Sequence, residues 1–397
     1  MKGPTPRRIL RYVCQCLRLK AYLKRPGDGR RRPQIAAQHL LWSLLMGYLL
    51  RESSFHAVEA LVCSKARRAL GVGRDFGDDA LAYFTERLDV FPTRLALAVA
   101  LTQAKRNKAF DNSRFIGLAI DGTTVGRCES QGCCLCRPYK NSEGEIIGYR
   151  HHVVIATIVG TGLSLPVDVE PYGPGDSEYA AGQRVLRRIT DNLGRRFAQY
   201  VVADGEFATA PFLHVADELG IKVIARLKSN LPELLHAAET RFGNRGPSRT
   251  FQNGSDRIEI WDAEDFDPWE TLHWKTVRVI RYRQHKTDGT VIEAYWLTNF
   301  STPQVGSEAL YRMAKSRWEV ENQGFNDAKN RFGFKHITHH NANSLLICWL
   351  LLMLALTIER LYRLRYLRRG THKPHSSIEL LRLLRLSLTT SSSVNSS

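Results

Sequence analysis

The sequence predicts a mixed α/β protein, with an all-helical N-terminal domain and a β-rich insertion interrupting the sheet-forming core. Three observations point there. Apolar residues recur at three and four positions through residues 33 to 110. Past residue 113 short apolar runs alternate with helical spacing. From about 230 to 300 the apolar residues recur at every second position, between Asn-Gly, Asp-Gly and Pro signals. At 397 residues the chain can form two or three domains, or one large core with an insertion.

Composition narrows the function. Hydrophobic content of 43% and charged content of 24% are ordinary for a folded protein. The formal net charge of +18 is not ordinary and favours a polyanionic partner, most simply nucleic acid. A basic membrane-surface protein would need an amphipathic or lipidated anchor, and none is legible. The start, MKGPTPRRILRYVCQCLRLK, lacks the apolar stretch and cleavage site of a signal peptide. The longest apolar run, LLICWLLLMLALTI at 345 to 358, reads as a buried core helix rather than a span. The expectation is a cytoplasmic, nucleoid-associated protein that does not engage a membrane.

Residues 1 to 112 read as a basic helical domain suited either to binding DNA, its ends if the chain acts on an element, or to packing and oligomerisation, with 1 to 32 as a solvated basic arm. Its helices are IAAQHLLWSLLMGYLL, SFHAVEALVCSKARRAL, DDALAYFTERLDV and PTRLALAVALTQAKR, with Gly, Asp and Pro as stops. Residues 113 to 229 form the first part of the core. RFIGLAIDGTTV reads as a buried strand closed by an Asp-Gly turn, and HHVVIATIVG and LSLPVDVEPY as two more strands. SEYAAGQRVLRRITDNL has helical spacing, with Ser177 as N-cap. QYVVADGEFA is a second strand ending in Asp-Gly, APFLHVADELG a helix and IKVIARLK a strand. Residues 230 to 300 hold the insertion. Residues 301 to 365 complete the core, with helices expected at 307 to 330 and 344 to 364. Residues 366 to 397 read as a basic, then Ser/Thr-rich, partly disordered tail.

Two strands end alike: AIDG at 119 to 122 and VADG at 202 to 205. In open α/β sheets, catalytic groups gather at the C-terminal ends of strands. Asp121 and Asp204 would lie side by side if their strands are neighbours; as a lone feature, each Asp-Gly also reads as a plain turn. A third acid tips the balance. Arg317, Glu321, Phe325 and Lys329 share one helix face, which sets a carboxylate between two cations, while Glu319 and Asp327 point elsewhere. Trp318 and Asn322 nearby are candidate DNA contacts. Three separated carboxylates can hold two Mg²⁺ ions. Such a pair of ions, about 3.5–4 Å apart, supports in-line phosphoryl displacement.

With these acids the sequence resembles the DDE transposases of bacterial insertion sequences, in particular the insertion-sequence-four-like group. Members carry a ribonuclease H-like core interrupted by a β-rich insertion before the final Glu. The resemblance rests on AIDGTTV, VVADGEFA, the β-rich stretch and RWEVENQGFNDAKNRFGFKH, and covers roughly 113 to 360. It implies Asp121, Asp204 and Glu321 as the metal-binding triad. It also implies Mg²⁺ as cofactor, with Mn²⁺ as substitute, and cleavage at terminal inverted repeats followed by strand transfer into target DNA by a homodimer. Within the family's Y-x2-R-x3-E-x6-K signature, Arg317 and Glu321 fit; Ala314 stands at the tyrosine position, and Lys329 is one residue past the lysine position. A ribonuclease H-like nuclease without strand transfer, and a catalytically decayed transposase that binds DNA, are the competing readings.

One motif stands outside this scheme. CESQGCCLC at 128 to 136 contains Cys133-x2-Cys136, the spacing of a structural zinc site, with Cys128 as a third candidate ligand and His151 and His152 downstream. A reduced, packed cysteine cluster explains the same residues.

Overall fold

The structure is a computed structural model of the chain. It describes residues 4–110, 113–319, 326–369, 373–374 and 376–393.

Seven helices open the chain: α1 (Pro6–Gln15), α2 (Lys20–Lys24), α3 (Ala37–Leu50), α4 (Phe55–Cys63), α5 (Ala66–Leu70), α6 (Asp78–Arg87) and α7 (Val90–Arg106). Thr5, Ser54 and Asp89 start α1, α4 and α7 by accepting hydrogen bonds from N–H groups in the first turn. Every residue of α3 from Leu40 to Leu50 is buried, so this helix is apolar all round rather than amphipathic. The expected solvated arm is not seen. Ile9, Tyr12, Val13, Leu17, Leu19 and Leu23 are buried, while cations on the other faces of α1 and α2 and in the segments after them, Arg18, Arg25, Arg31 and Arg32, stay exposed. Enough apolar positions punctuate the basic run to dock it.

The core follows as β1 (Gly117–Cys128), β2 (Arg137–Lys140), β3 (Ile146–Val159), β4 (Pro166–Pro171), α8 (Glu178–Leu193), β5 (Tyr200–Ala203), α9 (Ala210–Glu218) and β6 (Lys222–Leu227). Ser177 caps α8 by accepting from the Ala180 N–H, as expected. Then come α10 (Pro232–Gly243), β7 (Arg249–Asn253), β8 (Asp256–Phe266), β9 (Val277–His285) and β10 (Val291–Thr298). The last elements are α11 (Ser307–Lys315), α12 (Arg317–Glu319), α13 (Asn326–Arg331), α14 (Ala342–Tyr366) and α15 (Ser377–Ser393).

Strands β1 to β10 form one mixed sheet in the order β2-β3-β1-β5-β6-β10-β9-β8-β7, with β4 also on β3. β1, β3 and β4 pair antiparallel, and β5 and β6 run parallel to β1. Three antiparallel strands followed by two parallel ones form the expected ribonuclease H-like core. The β-rich stretch does not stand apart from it: β10 pairs antiparallel with β6, so β7 to β10 lengthen the same sheet.

The apolar helix α14 is the hub. Its 25 residues are long and apolar enough to cross a membrane, yet 89% of its most apolar stretch is buried inside the protein. It packs against α3, α6 and α7 on one side and β4 on another, so the helical region and the sheet share one core. Arg94 of α7 reinforces the junction, donating to the Val169 carbonyl at 3.1 Å and to Glu170 at 3.2 Å.

Two local expectations differ. The helix expected over 307 to 330 breaks at Ser316, whose hydroxyl donates to the Met313 carbonyl at 2.6 Å and competes with the next helical turn. The tail expected to be partly disordered carries α15, because Leu380, Leu384 and Leu388 recur at helical spacing and are buried.

α3, α14 and α15 meet at one charge. Arg51, in the left-handed conformation that ends α3, donates to Glu359 at 2.5 Å and to Ser377 at 2.6 Å, and its guanidinium lies 3.3 Å from the Phe332 ring centre. The Glu359 side chain is only 4% exposed. Removing one partner of a buried pair strands the other charge, at a cost of about 3–5 kcal/mol. Glu359→Leu is therefore expected to lower the unfolding free energy in urea by that amount, and Arg51→Met added to it to recover most of the loss. A single-variant loss below about 1 kcal/mol contradicts this role.

Candidate active site

The two strand-end acids are brought together by register. β1 and β5 pair in parallel, Gly117 with Tyr200 through Ile120 with Ala203. Asp121 and Asp204 follow directly on the last pair. In-register neighbours point to the same face, and adjacent strands lie roughly 4.8 Å apart. The Asp-Gly after each strand does not work as expected in the first case. β1 runs on through Gly122 to Cys128, because β3 keeps pairing with it after β5 has left. Asp121 thus sits where one edge of β1 becomes free. In the second case the chain does turn, into a 3-10 helix over Gly205–Phe207.

A ring locks this register. Tyr200 stands opposite Gly117, and a Cβ on Gly117 would lie 2.2 Å from the tyrosine Cζ. Only glycine leaves room for the ring. The Tyr200 hydroxyl lies 3.3 Å from Ser316 Oγ, one residue before Arg317. The same ring that pins the strands therefore positions the start of α12.

Cations surround the acids. Arg317 is buried, and its Nη1 lies 3.6 Å from Asp121 Oδ2. Lys228, just past the end of β6, donates from Nζ to Asp204 Oδ2 at 2.7 Å. Lys329 of α13 donates to the Thr123 hydroxyl. Thr123 lies two residues beyond Asp121 and so on the same face of β1. Ala328, at the family's lysine position, is buried. The lysine one residue out of the family's spacing is the one that reaches the site strand. Burial lowers the Lys329 pKa and Lys335 adds to that, while Asp121 works against it.

Sequence reasoning missed two residues here. Lys228 ends the parallel strand next to β5, and the strand-end rule applied to IKVIARLK finds it. Glu178 is the first residue of α8 and reaches the Asp121 strand at Gly122, where an added Cβ would lie 2.1 Å from its Cδ. Its carboxylate accepts from the Tyr172 hydroxyl at 2.9 Å. Burial raises its pKa, opposed by the Tyr172 bond and reinforced by Glu206 and Asp204. The sequence signal is faint: an acid directly after a Ser N-cap, as in many helices.

The other candidates separate. Trp318 packs edge-on against Trp296, with ring centres 6.0 Å apart, and Lys315 lies 4.4 Å over its ring. It occupies a packing position in this structure. Glu321 and Asn322 lie outside the described residues. Cys133 and Cys136 lie side by side at 3.7 Å in the loop between β1 and β2; Cys128 is a neighbour of Cys136 but donates its thiol to the Tyr149 carbonyl and stands outside the tight cluster.

A family model described as “Transposase DDE domain” matches residues 113–358, more than half of the chain. No curated protein matches. Among solved structures, the cryo-EM structure of a piggyBac transposase synaptic complex with hairpin DNA is similar at 13% identity and a TM-score of 0.47. That match covers 98% of this chain and 78% of the other.

The ion pairs set the titration of the site. Burial pushes the Asp204 carboxyl up, but the hydrogen bond and charge of Lys228, with the Gly205 N–H and Arg317, bring it below the usual value. A depressed carboxylate contributes stability that is present above its unfolded pKa of about 3.9 and lost as pH falls through the folded value. In Lys228→Met the burial stays and the amine goes, so the Asp204 pKa is expected to rise. Carboxyl ¹³C NMR titration measures it, and an unchanged pKa contradicts the pairing.

Proposed function

This chain belongs to the transposase DDE domain family, and we propose that it is a metal-dependent enzyme of the insertion-sequence-four-like group. It cuts DNA at the terminal inverted repeats of its own element and joins the freed 3′ ends to target DNA. The observation that carries the reading is the in-register pairing of β1 and β5, with an acid on each strand directly after the last pair.

Asp121, Asp204 and Glu321 would hold two Mg²⁺ ions, with Mn²⁺ as substitute. The donor set fits: carboxylate oxygens suit a hard divalent cation, and Asp204 is held ionised by its neighbours. When bound, such ions neutralise charge on the attacking and leaving oxygens of an in-line displacement. The chain's own groups would do the rest. Arg317 pairs with Asp121 and Lys228 with Asp204, and the two cations would draw a phosphate oxygen to this end of the sheet. Lys329, tethered to Thr123, stands on the same strand face to orient the scissile phosphate. A net charge of +18 supports double-stranded DNA as partner. Arg7, Arg11, Lys20, Lys24, Arg25, Arg31 and Arg32 are exposed and offer a phosphate-contacting surface in the N-terminal region. A homodimer would bring two such surfaces to the two ends of the element.

The test is purified protein with an end-repeat duplex, target DNA and Mg²⁺. Asp121→Asn, Asp204→Asn and Glu321→Gln are each expected to lower cleavage and joining by about 10²–10³-fold or more, while duplex binding by fluorescence anisotropy persists. Cleavage by the parent protein without joined products identifies a nuclease instead, and binding with neither product identifies a DNA-binding protein. Unchanged cleavage in all three variants sinks the triad.

A further inference from the structure

We infer that Cys133, Cys136, His151 and His340 form a structural zinc site that clamps the segment before α14 onto the sheet. This stands on its own geometry and does not depend on the transposition reading.

One ligand atom from each of the four residues lies within 4.8 Å of all the others. Cys133 Sγ and Cys136 Sγ are 3.7 Å apart, and His151 Nε2 lies 3.2 Å from the first and 3.5 Å from the second. A tetrahedron with Zn–S near 2.3 Å and Zn–N near 2.0–2.1 Å has an S–S edge of about 3.8 Å and S–N edges of about 3.5 Å. The observed edges match that shape. They do not match a disulfide, whose sulfurs lie about 2.05 Å apart. Two thiols and two imidazoles complete four-coordination, the closed shell of a structural rather than a catalytic site.

The surroundings are built for it. Cys136 and His151 are fully buried. The His151 ring stands 5.7 Å from the His340 ring and 6.3 Å from that of Trp349, which walls off the site from α14. The His340 Nδ1 is buried with no hydrogen-bond partner among the described residues. A Cβ on Gly132 would lie 2.2 Å from that Nδ1, so the cysteine loop closes over the ring only because residue 132 is glycine. A buried polar atom without a partner is costly, and a metal bond in this cluster would offset that cost.

The site joins three stretches of chain distant in sequence. Cys133 and Cys136 come from the loop after β1. His151 lies on β3 directly opposite Val125 of β1. His340 precedes Asn341, the N-cap of α14, in the segment that follows α13 and Lys329. An ion here would tie that segment to β3, next to the strand bearing Asp121, and to the loop that follows that strand.

Mass-spectrometric metal analysis of the full-length protein, purified under reductant, is expected to give one zinc per chain. Cys136→Ala and His340→Ala should lose at least about nine-tenths of it, while Cys128→Ser and Cys134→Ser keep it. Because the alanine variants can fail to fold, His340→Cys provides a second readout. Loaded with Co²⁺, the parent should show the visible bands of a tetrahedral site, and His340→Cys should bind Co²⁺ with stronger thiolate charge-transfer absorption. No zinc in the parent even after reconstitution, full zinc in Cys136→Ala and His340→Ala, or loss of zinc in Cys128→Ser would each overturn the assignment.

Discussion

Everything at this site depends on one pairing, the parallel register of β1 against β5. Leu118, Ala119, Ile120, Val201, Val202 and Ala203 are fully buried, and β3 and β6 flank the pair on either side. A slip of one residue would send Asp121 and Asp204 to opposite faces of the sheet. Apolar burial alone does not forbid such a slip, because both faces of these strands are covered. The Tyr200 ring over Gly117 opposes it, since a slip of one residue would set the ring against Ile116 or Leu118, which carry side chains where Gly117 has none. Through Ser316 the same tyrosine sets the start of α12, so the pairing of the acids and the position of Arg317 share one cause.

Bringing carboxylates together costs energy unless opposite charge accompanies them. Here the compensation is distributed. Arg317 faces Asp121, and Lys228 faces Asp204. Glu178, which burial and its acidic neighbours push toward the neutral form, is held by Tyr172. Each cation comes from a different element, so the site is complete only when β6, α12 and α13 are all docked on β1 and β5. The shared core around α14 and the charge node at Arg51 extend that dependence to the helical N-terminal region.

Much of this was legible along the chain. The core strands and helices, the N-cap at Ser177 and the apolar core helix follow from periodicity and stop signals, and the two strand-end aspartates follow from their place in the sheet. Asp-Gly after β1 misled because a turn signal cannot reveal that a neighbouring strand goes on pairing. The N-terminal run looked solvated because its cations outnumber the apolar positions that dock it. His340 could not be grouped with the cysteines, since nothing local marks a ligand that the topology supplies from the far end of the core. Lys329 is the opposite case: it is out of step with the family's spacing, yet it reaches the site strand through Thr123.

The most direct test of the account is anomalous diffraction from crystals of the protein with end-repeat duplex and Mn²⁺. The account predicts manganese density between the carboxylates of Asp121 and Asp204, well apart from any zinc signal at Cys133 and Cys136. Ordered DNA across this end of the sheet, with no manganese bound to either aspartate, would contradict it.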